Sequence, residues 1–384
     1  MINFEDGPGA SSEKVTKIKV FGVGGAGGNA VKTMMNYGIQ GIDFYALNTD
    51  VQVLNNLPIP NKFVLGREAT HGLGAGAKPE IGEKAALESK AELEELLRDT
   101  DMVFITAGMG KGTGTGASPI IAELAKSLGV LVVGVVTTPF GFEGQAKMEI
   151  AEKGIEKLRR NVDTLITIPN QNLLKICKKD TPMSEAFLVS DDVLRQAVQG
   201  VADIITRKGE INVDFNDVRT IMENKGPALM GLGIGHGEAR GLDAVGQAIN
   251  SPLLDSVSIK GAKGIVLNIT GGSDLTLYEV DEIASLIRKE VDPNAMIIFG
   301  NVIDDKIKDE VRVTVLATGF PAQLVEQKQA RQEKSTFTIY RPDDLSIPTF
   351  QRRRYEQPLA AAGLPKDEDI DIPTFLRKGG GQSA

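Results

Sequence analysis

Between Ala107 and Pro119 the chain reads Ala-Gly-Met-Gly-Lys-Gly-Thr-Gly-Thr-Gly-Ala-Ser-Pro, with glycine at every second position from 108 to 116. Glycine has no Cβ, so such a backbone can curl until successive N–H groups face one point, and an oxyanion is the ligand that such a point attracts. The hydroxyls of Thr113 and Thr115 add donors to the same concavity. Two more glycine runs repeat the pattern, Gly22-Val-Gly-Gly-Ala-Gly-Gly28 and His71-Gly-Leu-Gly-Ala-Gly-Ala-Lys-Pro-Glu80. The bland reading of the run at 107–119 is a flexible surface loop. Against it stands the position of the run at 107–119, between an apolar segment and a helix-patterned one.

The elements that would position these loops follow from hydrophobic periodicity. Residues 17–22 read as a strand, 29–37 as a helix, 41–47 as a second strand, and 81–97 as a charged helix. Residues 101–106 form a strand before the main loop, and a helix follows from Ile120. A β-branched run at 131–137 marks a fully buried strand, followed by a helix at 145–160 and a strand at 163–168. Strands alternating with helices, each glycine loop following a strand, predict an α/β fold: a doubly wound parallel sheet with its ligand site at the strand C-terminal ends. A long helix over 184–205, with Ala186, Val189, Val193, Ala197, Val201 and Ile204 on one face, connects this to a second, smaller α+β region. The expected boundaries are 1–14 for a disordered N-terminus, 15–183 for the nucleotide domain, 184–208 for the connecting helix and 209–320 for the second domain. A flexible linker, 321–366, and a C-terminal peptide, 367–378, complete the chain.

Composition narrows the function classes. With 384 residues, 41% of them hydrophobic, the chain is long enough for two domains, and a net charge of −8 argues against nucleic-acid binding. A single cysteine, Cys177, excludes an internal disulfide framework and suits the cytoplasm. The acidic N-terminus lacks the apolar core of a signal peptide, and no apolar run is long enough to span a bilayer, so membrane association is expected only through a partner.

Gly22, Gly24 and Gly27 match a dinucleotide fingerprint, and Asp50 falls where a ribose-binding acid would, so a dinucleotide-dependent oxidoreductase is one reading. Such an enzyme needs only the first loop. A Walker A site is excluded because Lys111 is followed by Gly112 instead of Ser or Thr. A triphosphate wrapped by several backbone nests accounts for all three loops, its charge shared with a Mg²⁺ held mainly by phosphate oxygens and water. His71 and His236 lack metal-ligand companions in the sequence.

The segment Gly110-Lys-Gly-Thr-Gly-Thr-Gly116 resembles the signature of the tubulin superfamily. Together with Gly22 to Ala30, Asn48-Thr-Asp50, Gly72 to Ala77, Pro139-Phe-Gly-Phe-Glu-Gly144, Ile168-Pro-Asn170 and Asn212-Val-Asp-Phe-Asn-Asp217, it is similar to the cell-division GTPases of the FtsZ family. The resemblance implies a GTPase that polymerises head to tail, binding GTP or GDP with Mg²⁺ at the interface between subunits, in the cytoplasm at the division site. It implies that Gly24, Gly25, Ala26, Gly27 and Gly28 hold phosphates, as do Gly108, Gly110, Lys111, Gly112, Thr113, Gly114, Thr115 and Gly116. Asn48, Thr49, Asp50, Gly74, Ala75 and Gly76 complete that wall. Glu143, with Lys147 beside it, is implied at the ribose, and Asn29, Asn170, Phe187 and Asp191 around guanine. Asn212, Asp214 and Asp217 are implied to meet the γ-phosphate of a neighbouring subunit. From the residues alone, Asp214 and Asp217 read equally well as N-capping acids at a solvated helix start.

Three positions depart from the family pattern: Lys111 replaces glycine, Lys78 replaces the usual asparagine, and Lys147 replaces the usual arginine, exchanging a planar fork for a point charge. A GTP-binding scaffold with weak hydrolysis is therefore the second reading. In the tail, residues 343–352 and 368–377 repeat an acidic stretch, Ile-Pro-Thr-Phe, then a basic residue. This suits a peptide that docks by an apolar anchor. The resemblance implies that Ile372, Pro373, Phe375, Leu376 and Arg377 bind an actin-like membrane tether, FtsA, and other division-ring proteins.

Overall fold

The computed structural model describes residues 16–177, 180–207, 213–254, 259–304 and 307–320. Asn212 and the tail residues Ile372, Pro373, Phe375, Leu376 and Arg377 lie outside the described residues, as do the expected N-terminal segment, linker and C-terminal peptide.

Among the described residues ten strands form one sheet: β1 (Ile18–Val23), β2 (Ile42–Asn48), β3 (Asn61–Val64), β4 (Met102–Gly108), β5 (Leu131–Thr138), β6 (Thr164–Pro169), β7 (Gly226–His236), β8 (Gly264–Gly271), β9 (Met296–Ile303) and β10 (Glu310–Thr318). Their order is β3-β2-β1-β4-β5-β6-β7-β10-β8-β9. From β3 to β7 all pairings are parallel, and β1, β4 and β5 are buried on both faces, as their continuous apolar runs require. β7 joins the two regions. Its first residues, Gly226 to Ala228, pair with β6, and Leu229 to His236 pair antiparallel with β10. The second region is thus α+β, with the helices Arg240–Ile249 and Leu277–Glu290 packed on its sheet, and it continues the first sheet across β7.

The long helix is Met183–Thr206. Its Val193, Ala197, Val201 and Ile204 are buried as their spacing predicts. Leu194, Val198 and Ala202 are buried too, because the helix packs against the helix Gly24–Asn36 and β5 as well as against β8, β9 and β10. A one-sided pattern expected from sequence has become a core helix over its second half.

Several boundaries differ from the sequence reading for one reason. The helix expected from Ile120 begins at Thr113 and carries Pro119 inside it, and the helix expected from Asn29 begins at Gly24. Glycine-rich turns have poor helix propensity, yet these segments start helices, and glycine is needed in them because nothing larger fits. A Cβ on Gly116 would stand 2.0 Å from the carbonyl oxygen of Pro79, and one on Gly27 would stand 2.4 Å from that of Thr106. The charged helix expected over 81–97 is two helices, Pro79–Glu88 and Lys90–Leu97. At the break, Ser89 Oγ accepts the N–H of Gly66 at 3.0 Å. β3 and the short helix Val51–Asn55 carried no strong periodic signal, whereas Leu277–Glu290, with its Thr276–Glu279 capping box and apolar residues at helical spacing, was legible and was overlooked.

The packing at Gly116 is backbone against backbone, so no rotamer change relieves an added methyl. Gly116→Ala is expected to lower the unfolding free energy by about 3 kcal/mol, read as an earlier urea midpoint at unchanged slope.

Candidate functional site

The glycine loops meet at the C-terminal ends of β1, β2, β4 and β5. Gly24 takes a left-handed φ of +76°, and a Cβ there would lie 3.1 Å from the backbone nitrogen of Gly114. The helices Gly24–Asn36 and Thr113–Ser127 therefore start side by side. Neither start has a side-chain cap, and neither first turn has an acidic residue. Each helix start carries free N–H donors and roughly half a positive charge, so two such ends in contact form a place that an anion stabilises. Gly25, Ala26 and Asn29 are exposed there, and a Cβ on Gly25 would touch nothing within 4 Å.

The other loops brace this pair. Thr49 and Thr113 share a hydrogen bond of 2.7 Å between their hydroxyls, and the carbonyl of Thr49 accepts the N–H of Gly74 at 3.1 Å. Asn48 is buried, with its side-chain oxygen accepting from the N–H of Asp50. Asp50 caps the helix Val51–Asn55, its carboxylate accepting from the N–H of Val53 at 3.1 Å. A Cβ on Gly112 would fall 2.7 Å from that of Ala75, which is buried, and Gly76 beyond it is exposed and left-handed. Gly110, at φ +99°, faces Pro139 and the backbone of Lys147. The side chain of Thr115 does not line the concavity as expected. It is buried, and its hydroxyl oxygen accepts the N–H groups of Gly110 and Lys111 at 2.9 and 3.1 Å, which holds the loop's shape from behind. Lys111 is exposed and is not among the described residues with positive φ, so it occupies the family's glycine position without backbone strain.

A second cluster lies beyond the loops. Phe187, 40% exposed, meets Phe140 edge to face at 5.5 Å, and Phe140 stacks on Phe142 at 5.2 Å. Asn170 is buried at the end of β6, and Ser190 Oγ donates to its side-chain oxygen at 2.9 Å. Asp191 is next to Ser190 on the long helix, and burial pushes its carboxyl up to about 7, against the pull of Lys32 from the helix Gly24–Asn36. Between the clusters, Glu143 accepts the N–H of Phe140 at 3.0 Å and pairs with Lys147 at 3.2 Å.

Residues 17–178 match the GTPase domain of the Tubulin/FtsZ family, and residues 226–321 match the C-terminal domain of the FtsZ family. An FtsZ dimer structure from M. jannaschii is 45% identical, with a TM-score of 0.77 over 80% of this chain and 89% of that one. The chain belongs to the FtsZ family. A point mutant of the M. jannaschii protein matches at the same identity and TM-score, over 79% of this chain and 91% of that one. A GDP-bound CetZ1 monomer from Haloferax volcanii shares the fold at 22% identity, with a TM-score of 0.70 over 83% of this chain and 99% of that one. With both family domains present, this is a GTP-hydrolysing, polymerising cytoskeletal protein. Neither the oxidoreductase nor the flexible-loop reading accounts for two family domains in this order.

Asp214 and Asp217 stand elsewhere. Asp214 caps the helix Phe215–Met222, accepting the N–H of Asp217 at 2.9 Å, and both residues are exposed. This helix sits at the N-terminal ends of the strands. Arg219 donates to the carbonyl of Gly129, just before β5, and Lys225 and Gly226 donate to that of Asp163, just before β6. β5 alone spans eight residues, about 26 Å at the usual rise. The sequence reading missed Ser190, Lys32 and Phe140. Ser190 was legible only as the neighbour of Asp191, and the other two are brought in by the fold.

In the guanine-facing role that the family resemblance implies, Asp191 would need both oxygens as acceptors, which only the carboxylate supplies, and that ionised form is lost as pH falls through about 7. GDP affinity of the full chain is expected to drop about tenfold from pH 8 to pH 6, in excess of the slope shown by Asp191→Asn under the same titration.

Proposed function

We propose that GTP lies across the C-terminal ends of the parallel strands, its triphosphate on the paired helix starts at Gly24 and Thr113. The N–H groups of the two glycine loops and the Thr113 hydroxyl bind phosphate oxygens, with the segment from Asn48 to Asp50 and the loop at Gly74 to Gly76 as the outer wall. Glu143 accepts from the ribose hydroxyls, and Lys147 tempers its charge. Phe187 stacks on guanine while Asn29, Asn170 and Asp191 meet its edges. These donors are N–H and hydroxyl groups, which suit phosphate oxygens, so Mg²⁺ belongs on the phosphates and water. Held there, the ion would supply positive charge to offset the negative charge that builds on the departing GDP.

The observation that carries the catalytic half is the separation of Asp214 and Asp217 from the glycine loops. Acids at the opposite ends of the strands cannot reach the phosphates of their own chain. In a head-to-tail stack they meet those of the next subunit, where a carboxylate can hold and polarise the attacking water. Asn212 shares this role by family resemblance. Hydrolysis then depends on assembly, and the polymer is the division-ring filament of the cytoplasm. Through Ile372, Pro373, Phe375, Leu376 and Arg377 the filament docks on an actin-like tether, FtsA, and reaches the membrane only by that route. The upstream Ile347-Pro-Thr-Phe350 is a second attachment point on the same chain.

Asp214→Asn and Asp217→Asn are each expected to reduce GTP turnover by about 100-fold while GTP affinity changes little. Turnover per wild-type subunit should rise with protein concentration above a threshold, and strict proportionality with no pelletable polymer would exclude the shared site. For the tail, deletion of residues 347–350 should weaken tether binding by about tenfold or more through lost avidity, measured with the tether on a surface.

A further inference from the structure

Ser190 has no part in the reading above, yet it is 5% exposed and its hydroxyl is directed to a single side chain, that of Asn170. The hydroxyl donates to Asn170 Oδ1 at 2.9 Å. An amide has one acceptor oxygen and one NH₂ donor, and which of them faces a ligand is decided by what holds the other. Because the oxygen is held by Ser190, the NH₂ is the group left to face outward. A buried serine in the interior of a helix commonly returns its proton to the carbonyl of the preceding turn. Here the proton crosses from the long helix to the helix Asn170–Leu173 instead.

We propose that Ser190 is a positioning residue for base recognition, holding Asn170 as a donor so that it pairs with an acceptor atom of the purine. This rests on the guanine assignment above. Ser190 and Asp191 are consecutive, so one turn of the long helix supplies both halves of the pattern: a carboxylate acceptor for the N1 and N2 hydrogens, and the hold that makes Asn170 a donor. Two acceptors flank the N1–N2 edge of guanine, O6 on one side and N3 on the other, and either meets an amide NH₂. If the amide were free to turn, its oxygen would face one of these acceptors for part of the time, and the contact would become repulsive.

The test is a binding cycle on the full chain with GDP, 6-thio-GDP and 3-deaza-GDP. The first analogue weakens the acceptor at position 6, and the second removes the one at position 3. Ser190→Ala is expected to weaken GDP binding by about tenfold. In the wild type, one of the two analogues should lose a similar factor, and in Ser190→Ala that same analogue should lose little more, because the contact it removes is already impaired. Which analogue shows this non-additivity identifies the acceptor. Ser190→Thr keeps the hydroxyl and should restore the wild-type pattern. Losses that simply multiply for both analogues, or GDP affinity unchanged in Ser190→Ala, would overturn the proposal and leave the serine as a tie between two helices. Failure of the guanine assignment itself is recognised separately, as GDP affinity that Asp191→Asn leaves intact.

Discussion

Two positively polarised helix ends lie in contact in this protein without a cap or an acidic residue to quiet them. Most helix starts are satisfied by a serine, threonine or aspartate side chain. Here the capping positions are Val23, whose buried side chain has no acceptor, and Gly112, where a Cβ would fall 2.7 Å from that of Ala75. The arrangement is unfavourable by itself, because like partial charges face each other and N–H groups are left to water. It becomes favourable when an anion with several oxygens sits between them. The glycines supply the proximity, Thr115 fixes the loop from behind, and the hydrogen bond between Thr49 and Thr113 ties in the neighbouring strand.

The long helix turns this local device into a longer one. Its N-terminal half presents Phe187, Ser190 and Asp191 beside the loops, and its C-terminal half is buried between the two parts of the sheet. At the usual rise its 24 residues extend about 36 Å. Beyond it, the helix capped by Asp214 is placed at the opposite ends of the strands. A rigid element of that length separates the cluster of Phe187, Ser190 and Asp191 from the exposed acids. Two unlike ends that fit each other associate head to tail, giving a ring where the rotation closes and an open filament where it does not.

Much of this was legible in the residues. The apolar run at 101–106 and the β-branched run at 131–137 read as strands, the second buried on both faces, and glycine loops following strands placed a phosphate site at their C-terminal ends. The paired readings of Asp214 and Asp217 were also legible, and the capping one is visible as the hydrogen bond from Asp217 to Asp214. Less legible was where the helices begin. Propensity argues against helix through Gly24–Gly28 and Gly114–Gly116, and contact with Thr106 and Pro79 overrides it.

Sequence alone determined the chemistry on offer: which loops could cradle phosphate, and that no Walker lysine was present. These follow from residue types and short spacings, which act over one or two turns of chain. The tertiary structure decided what each group is free to do. It enclosed Thr115 and exposed Lys111, raised the carboxyl of Asp191 by burial, and set Ser190 against Asn170 across twenty residues of sequence. Those outcomes depend on desolvation and on contacts between residues far apart in the chain, and no local pattern of residues carries that information.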